Sequence, residues 1–336
     1  MHKKILAAGL AALQLLCLCA CQGGEPTTAT TTPPTTTAAP PTQVTTVPPQ
    51  TTVAPTTETV YDHTDLSIFQ MKKWHKEIPE GKLLGITADG GPFILPPSED
   101  NYRVMQGMCT DGTYMFALLE KKRQDVNGDS RSLCRMAKVD LATWEILAYS
   151  EPMELDHGNG MTYNTKTGEI LVVHGQFYPK TISVVDPETM TVKRTFDLAY
   201  NARGITYDAA TDRYAVCIGG KSDFVIYDSE FNELAYYACD DLVSGNKEFG
   251  RQSISTDGKY LYMTYTGAVV NGLNGYEIIC CYDWSGNFCG VFSLRTFYEI
   301  ESTIHVGGVT YASFYNEGGK FYQVVFDEVP LKAPAA

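Results

Sequence analysis

The sequence predicts an all-β fold, a five-bladed β-propeller, and three observations carry that prediction. First, a polar residue and a small one lead into an apolar strand and a tight turn five times. The copies run Gln106-Gly107 to Asp111, Asn159-Gly160 to Asn164, Arg203-Gly204 to Asp208, Gln252-Ser253 to Asp257 and, in degenerate form, Ser302-Thr303 to Gly307. Their spacings of 53, 44, 49 and 50 residues suit a propeller blade of short strands and exceed the period of a helical solenoid. Second, short β-branched runs alternate with turn residues, as in Glu169–His174, Thr181–Asp186 and Thr191–Phe196. Third, no stretch after Val60 has a strong amphipathic helical period; Ile68–Lys76 has room for one or two turns.

Within each repeat a strand ends in Asp, a tight turn follows, and an outer strand returns. Met136–Asp140 precedes a strand at Trp144–Leu147, Phe224–Asp228 precedes the turn to Asn232, and Ile279–Asp283 precedes the turn to Asn287. Asp186-Pro187 supplies such a turn, with proline presetting φ at its second position. The pattern resembles the repeats of extracellular bacterial propellers of the YVTN and NHL type over most of residues 100–328. The fifth blade lacks an outer strand after Lys320–Phe326. Lys82–Thr87 is expected to supply it, closing the ring from the other terminus and hiding two sheet edges.

The remaining regions follow from composition. Residues 1–20 read as a signal peptide: a short basic start and an apolar stretch too short for a confident membrane span. Leu18-Cys19-Ala20-Cys21 resembles the lipobox of bacterial lipoproteins, which implies cleavage before Cys21 and a lipid on its sulfur; Cys19 departs from the usual pattern. Residues 21–60 are that cysteine and a linker of mostly Thr, Pro, Ala and Val, with too little apolar surface to fold. Its prolines favour an extended chain at ~3.1 Å per residue, so the linker reaches on the order of 100 Å. Residues 61–105 form an N-terminal segment with the ring-closing strand, 106–331 the blades, and 332–336 a C-terminal tail.

The formal charge of −13 becomes −15 when Lys3 and Lys4 leave with the signal. An acidic chain without a basic run has no electrostatic footprint for nucleic acid, and its only expected tie to a membrane is the lipid. The reading is therefore an exported, monomeric protein anchored on the outer face of the bacterial cell membrane. Seven cysteines fall in the folded region, mostly in apolar strands, and are expected to be buried thiols with at most one or two disulfides. No Cys/His spacing suggests zinc. Asp125–Ser130 starts like a calcium loop but has Met136 where the acidic twelfth ligand belongs. No cofactor or metal is expected.

A propeller brings the starts of its innermost strands to one channel mouth. Here they contribute Gln106, Asn159, Arg203, Gln252 and Ser302, with His157, Arg251 and Glu301 just before them. Such a ring is too polar for a packed core: it is hydrated, bonded internally, or binds a ligand. The two arginines favour an anionic glycan or peptide, because guanidinium grips planar oxyanions. Tyr102, Tyr163, Tyr200, Tyr207 and Phe249 are candidate stacking faces. The principal reading is a surface binding protein with no catalytic residues.

Val104–Met108 followed by Cys134–Thr143 is similar to the opening of the five-bladed glutaminyl cyclotransferases, which convert an N-terminal glutamine to pyroglutamate. That resemblance implies carboxylates at strand starts for proton transfer. Gln106 and Asn159 are amides instead, which cannot act as acid or base near neutral pH. An enzyme, either a relative of that family or a carbohydrate-active hydrolase or lyase, is the second reading. It needs two convergent carboxylates, with Glu301 first and Asp240 or Glu299 next. A scaffold that binds an envelope protein by its rim is the third.

Overall fold

The computed structural model describes residues 78–98, 100–121, 133–219, 223–239, 250–267, 276–315, 319–326, 331 and 333–334. The signal, Cys21, the linker, Ile68–Lys76, the 125–130 segment, Asp240 and Phe249 lie outside them. The fold is all-β and propeller-like, with no helix among the described residues. Two short strands come first, β1 (Glu80–Leu84) and β2 (Phe93–Ile94). β3 (Tyr102–Thr110), β4 (Tyr114–Lys121), β5 (Cys134–Asp140) and β6 (Ile146–Tyr149) make one antiparallel meander. β7 (Gly160–Asn164), β8 (Glu169–Val173), β9 (Thr181–Asp186) and β10 (Thr191–Asp197) make the next. β11 (Ala202–Asp208), β12 (Arg213–Ile218), β13 (Phe224–Asp228) and β14 (Glu233–Tyr237) follow.

The remaining strands share a nine-stranded sheet. One run is β15 (Gly250–Thr256), β16 (Leu261–Thr266), β17 (Tyr276–Tyr282) and β18 (Phe288–Arg295). The other is β19 (Glu299–Val306), β20 (Val309–Tyr315) and β21 (Lys320–Val325), completed by β1. β1 pairs antiparallel with β21, Lys82 opposite Val325, and parallel with β18, which joins the two runs. The N-terminal strand thus covers the edge of β21, although it ends at Leu84 and the chain turns at Thr87–Gly90 instead of continuing extended.

The innermost strands pack in a cycle: β3 on β7, β7 on β11, β11 on β15, β15 on β19, and β19 back on β3. Five buried apolar clusters fill the interfaces, for example Leu171, Val173, Ile205 and Val216 between the second and third sheets. The repeat's terminal Asp or Asn has a local cause. Asp111, Asn164 and Asp257 each accept two backbone N–H groups from the next turn, an Asx-type turn that reverses the chain. Gly112 and Gly258, at φ 94° and 90°, supply the left-handed residue of two such turns. Asp140, Asp186, Asp228 and Asp283 repeat the device before the outer strand.

The repeat's glycine answers a second need, close approach. A Cβ on Gly160 would lie 2.6 Å from Gly204 Cα, one on Gly204 would lie 2.8 Å from Ile254 N, and one on Gly107 would lie 3.0 Å from Gly160 Cα. Backbone stands against backbone around the axis, and Gly107 N–H donates to Gly158 O at 3.0 Å.

The structure differs from the sequence-based reading in several places. The first meander starts at Tyr102, inside the segment assigned to the N-terminal region, and β6 begins at Ile146 because Trp144 takes a positive φ in the turn. The seven cysteines of the folded region are buried, as the sequence led one to expect.

Gly160→Ala is expected to destabilise the chain by about 1–3 kcal/mol, the usual range for overpacking a filled interior. A urea midpoint indistinguishable from wild type would refute the close approach of β7 and β11.

Candidate functional site: a carboxyl cluster at the channel mouth

Four inner strands carry a β-bulge at the polar residue of the repeat. The register slips between Met105 and Met108, between Ala202 and Gly204, between Arg251 and Ile254, and between Ile300 and Ser302. A bulge leaves one residue out of the ladder and re-aims its side chain. The residues so released are Gln106, Arg203, Gln252 and Glu301; Asn159 stands just ahead of β7. The fifth copy is therefore displaced by one residue from the sequence reading. Glu301, not Ser302, is the counterpart of Gln106. Ser302 is the small neighbour; its carbonyl accepts from Ser313 Oγ at 3.3 Å.

Hydrogen bonds across sheets show which of these groups meet. Asn159 Nδ2 donates to the carbonyls of Arg203, at 2.6 Å, and Gln252. Arg203 Nη1 donates to Asn159 Oδ1 at 3.4 Å. Gln252 Nε2 donates to Glu299 Oε1, and Arg251 Nη1 to the carbonyl of Ile218. On the other side of the mouth, His157 Nδ1 lies 3.1 Å from Glu120 Oε2. The two arginines thus serve the second, third and fourth sheets.

Carboxyls gather where the sequence showed mainly amides. Glu301 is 5% exposed, and burial pushes its carboxyl well above the usual range, reinforced by the charges of Glu299, Glu277 and Glu120. Glu299 is raised by burial, against the pull of its bond to Gln252 and of His157. Glu277, fully buried on β17, is pushed up to about 9 by burial, although it accepts from Ile300 N–H at 3.2 Å and from Thr266 Oγ1 at 3.3 Å. Glu277 accordingly carries a proton at neutral pH. Gln106 Oε1 and Glu120 Oε1, on residues 2% and 3% exposed, have no hydrogen-bond partner.

The sequence reading passed over Glu120 and Glu277. Each is an acid at the end of an otherwise apolar strand, Met115–Glu120 and Glu277–Tyr282, and that break in pattern was the available signal. The aromatic candidates divide. Tyr163 and Tyr207 sit at the opposite ends of their strands, about 13 Å along from the bulge position. Tyr102 is buried beneath Arg135, and Tyr200 donates to Glu233 at 3.1 Å. Phe177 and Tyr178 are exposed instead, in a loop held by Asp156 Oδ2, which accepts from the N–H groups of Gln176, Phe177 and Tyr178 at 3.0, 2.6 and 3.0 Å. Phe297, 79% exposed, precedes Glu299 in the turn into β19.

Among the described residues no group of three or more His, Cys, Asp or Glu is placed to hold a metal ion. A cavity of about 760 Å³ between the second and third sheets is lined by Glu169, Arg194, Lys166 and Asp212. Its charges pair with one another: Glu169 accepts two bonds from Arg194 at 3.0 and 3.1 Å, and Lys166 meets Asp212.

No family model matches the chain, and no curated protein matches it. Solved structures similar to it include a Myxococcus xanthus glutaminyl cyclase, with a TM-score of 0.48 and 8% identity over 69% of this chain and 95% of that one. A member of the DUF4221 family from Bacteroides vulgatus has a TM-score of 0.43 and 9% identity, over 73% and 98%. Kuenenia stuttgartiensis hydrazine synthase has a TM-score of 0.38 and 12% identity, over 65% and 57%.

Glu277 generates a pH dependence with a definite sign. Its pKa in the folded chain exceeds the 4.5 of a solvated glutamate, so between 4.5 and about 9 the folded state binds the extra proton. The associated stability is complete below 4.5 and is lost as pH rises through about 9, at no more than about 1.4 kcal/mol per pH unit. Glu277→Gln is expected to flatten the fall in Tm from roughly pH 5 to pH 8. A variant whose Tm falls as steeply as wild type would show that Glu277 is ionised in the fold.

Proposed function

We propose that the inner strands close as five blades, with the nine-stranded sheet counting as two, and that the mouth at their bulged starts binds an extracellular peptide or glycan. The protein carrying it is exported, monomeric and anchored by a lipid on Cys21 to the outer face of the bacterial membrane, with the Thr/Pro segment as a stalk. The assigned ligand offers an ammonium or amide N–H group to the mouth. The sequence alone favoured an anionic ligand. The observation that carries the reversal is the grouping of Glu120, Glu277 and Glu299 around Glu301, beside the unpartnered oxygens of Gln106 and Glu120. Arg203 and Arg251 already bond Asn159 and the Ile218 carbonyl, which reduces their capacity to take up an anion. The exposed rings of Phe177, Tyr178 and Phe297 supply stacking faces for sugar or peptide.

Calorimetric titration with paired amino-bearing and N-acetylated oligosaccharides and peptides tests this reading. The free amine is expected to bind at least about tenfold tighter, a difference of roughly 1.4 kcal/mol, and Glu299→Gln to remove the preference. Equal or stronger binding of acetylated or anionic members would reject it.

A second reading is favoured by one pairing, the buried Glu301, whose carboxyl is raised well above the usual range, near the partly exposed Glu299. Two carboxyls whose surroundings raise them to different degrees can donate and accept protons in one reaction. This meets the requirement set for a cyclotransferase relative, whose resemblance in the first blade lacked the acids. Incubation with a glutaminyl peptide is then expected to release ammonia, detected as a 17 Da mass loss (about the mass of NH3) above the spontaneous rate. Glu301→Gln should abolish the excess; wild type at the spontaneous rate removes the reading.

A further inference from the structure

The five inner strands meet again at the far end of the channel, and there one interface departs from the pattern of the others. After the bulge residue and its small neighbour, the next side chain is Met108, Met161, Ile205 or Ile254 in the first four strands. All four are buried, and each belongs to an apolar cluster. The fifth strand has Thr303. Its Oγ1 lies 2.5 Å from Ser255 Oγ, and Ser255 Oγ lies 3.0 Å from His305 Nε2. His305 Nδ1 in turn lies 3.0 Å from Thr310 Oγ1. An apolar contact kept elsewhere is replaced by a chain of three hydroxyls and an imidazole. Local breaks of a packing rule are expected at functional or strained positions.

The chain borders two cavities. One, of about 150 Å³ at the channel end, is lined by residues of all five inner strands, Ser255, Thr303 and His305 among them. The other, of about 720 Å³, is also lined by His305 and has Tyr262, Phe292, Phe326 and Leu331 on its walls. Burial pushes the His305 imidazole down to about 4, against the opposite pull of Asp257, so the ring is neutral at neutral pH. With Nδ1–H donating to Thr310, Nε2 is left to accept a proton from Ser255. Tyr262 stacks on the ring at 4.4 Å and donates to Asp257 at 2.8 Å, which fixes both.

We propose that Ser255 and His305 form a nucleophile and general-base pair that cleaves small activated esters with an apolar acyl group. Ser255 Oγ attacks the carbonyl carbon while its proton passes to His305 Nε2. The C–O bond to the alcohol breaks, and the alcohol leaves with that proton. Water then attacks the acyl carbon and gives a proton to Nε2; the Ser255–acyl bond breaks, the carboxylic acid departs, and Ser255 recovers its proton. Thr310 is a positioning residue that selects the tautomer. A weakly basic imidazole confines the reaction to good leaving groups.

The test is labelling of the intact chain with a fluorophosphonate, followed by peptide mass spectrometry. Wild type is expected to carry the adduct on Ser255, heat-denatured protein to carry none, and His305→Gln to label on the order of 100-fold more slowly. Thr310→Val should slow labelling less than His305→Gln and shift its pH profile. Ser255→Ala, with a Tm close to wild type, should neither label nor hydrolyse p-nitrophenyl acetate above background. No Ser255 adduct on native protein, or an adduct formed as fast in a folded His305→Gln variant, would overturn the proposal.

Discussion

The contact on which the rest of the structure depends is backbone against backbone at Gly107, Gly160 and Gly204. The inner strands approach so closely that a methyl group on Gly160 would fall 2.6 Å from the neighbouring Cα. Such proximity permits a narrow channel, and a narrow channel forces side chains from different sheets into mutual range. Asn159 can therefore bond the carbonyls of two other sheets at once. Buried backbone groups need partners, and at this closeness polar side chains from neighbouring sheets can supply them.

The same crowding accounts for the bulges. A regular ladder would send each polar residue of the repeat into a neighbouring sheet, where burial without a partner is unfavourable. One extra residue frees the side chain and turns it toward the mouth. The fourth sheet illustrates the local support this needs: Ser253 N–H, within the bulge, donates to Thr264 Oγ1 at 3.0 Å. The mouth is thereby lined by groups whose mutual distances are set by sheet geometry instead of by flexible loops.

Electrostatics then follows from placement. Carboxyls placed away from water and close to one another resist ionisation, so burial and like charge raise Glu301 well above the usual carboxylate range and Glu277 to about 9. Glu299 and the His157–Glu120 contact stand beside these buried acids. Two ends of one channel thus have different chemistry: carboxyls at the starts of the strands, hydroxyls and an imidazole at their ends.

Much of this was legible in the chain alone. The period, the Asp-led turns and the small residue in each repeat are local properties, because a turn or a strand answers to its own few residues; Asp186 and Asp257 show this plainly. That Gln106, Asn159, Arg203 and Gln252 hold equivalent places in the repeat could likewise be read from spacing. The identity of the fifth member could not, since only pairing of β19 with β20 reveals that Glu301 is the residue left out of register. Glu120 and Glu277 lie on second and third strands, where their charge looked like an ordinary strand end. Their meeting with Glu301, the bonds of Arg203 to Asn159 and of Arg251 to the Ile218 carbonyl, and the Ser255–His305 contact are long-range consequences of how sheets stack, and sequence spacing carries no information about distances between sheets.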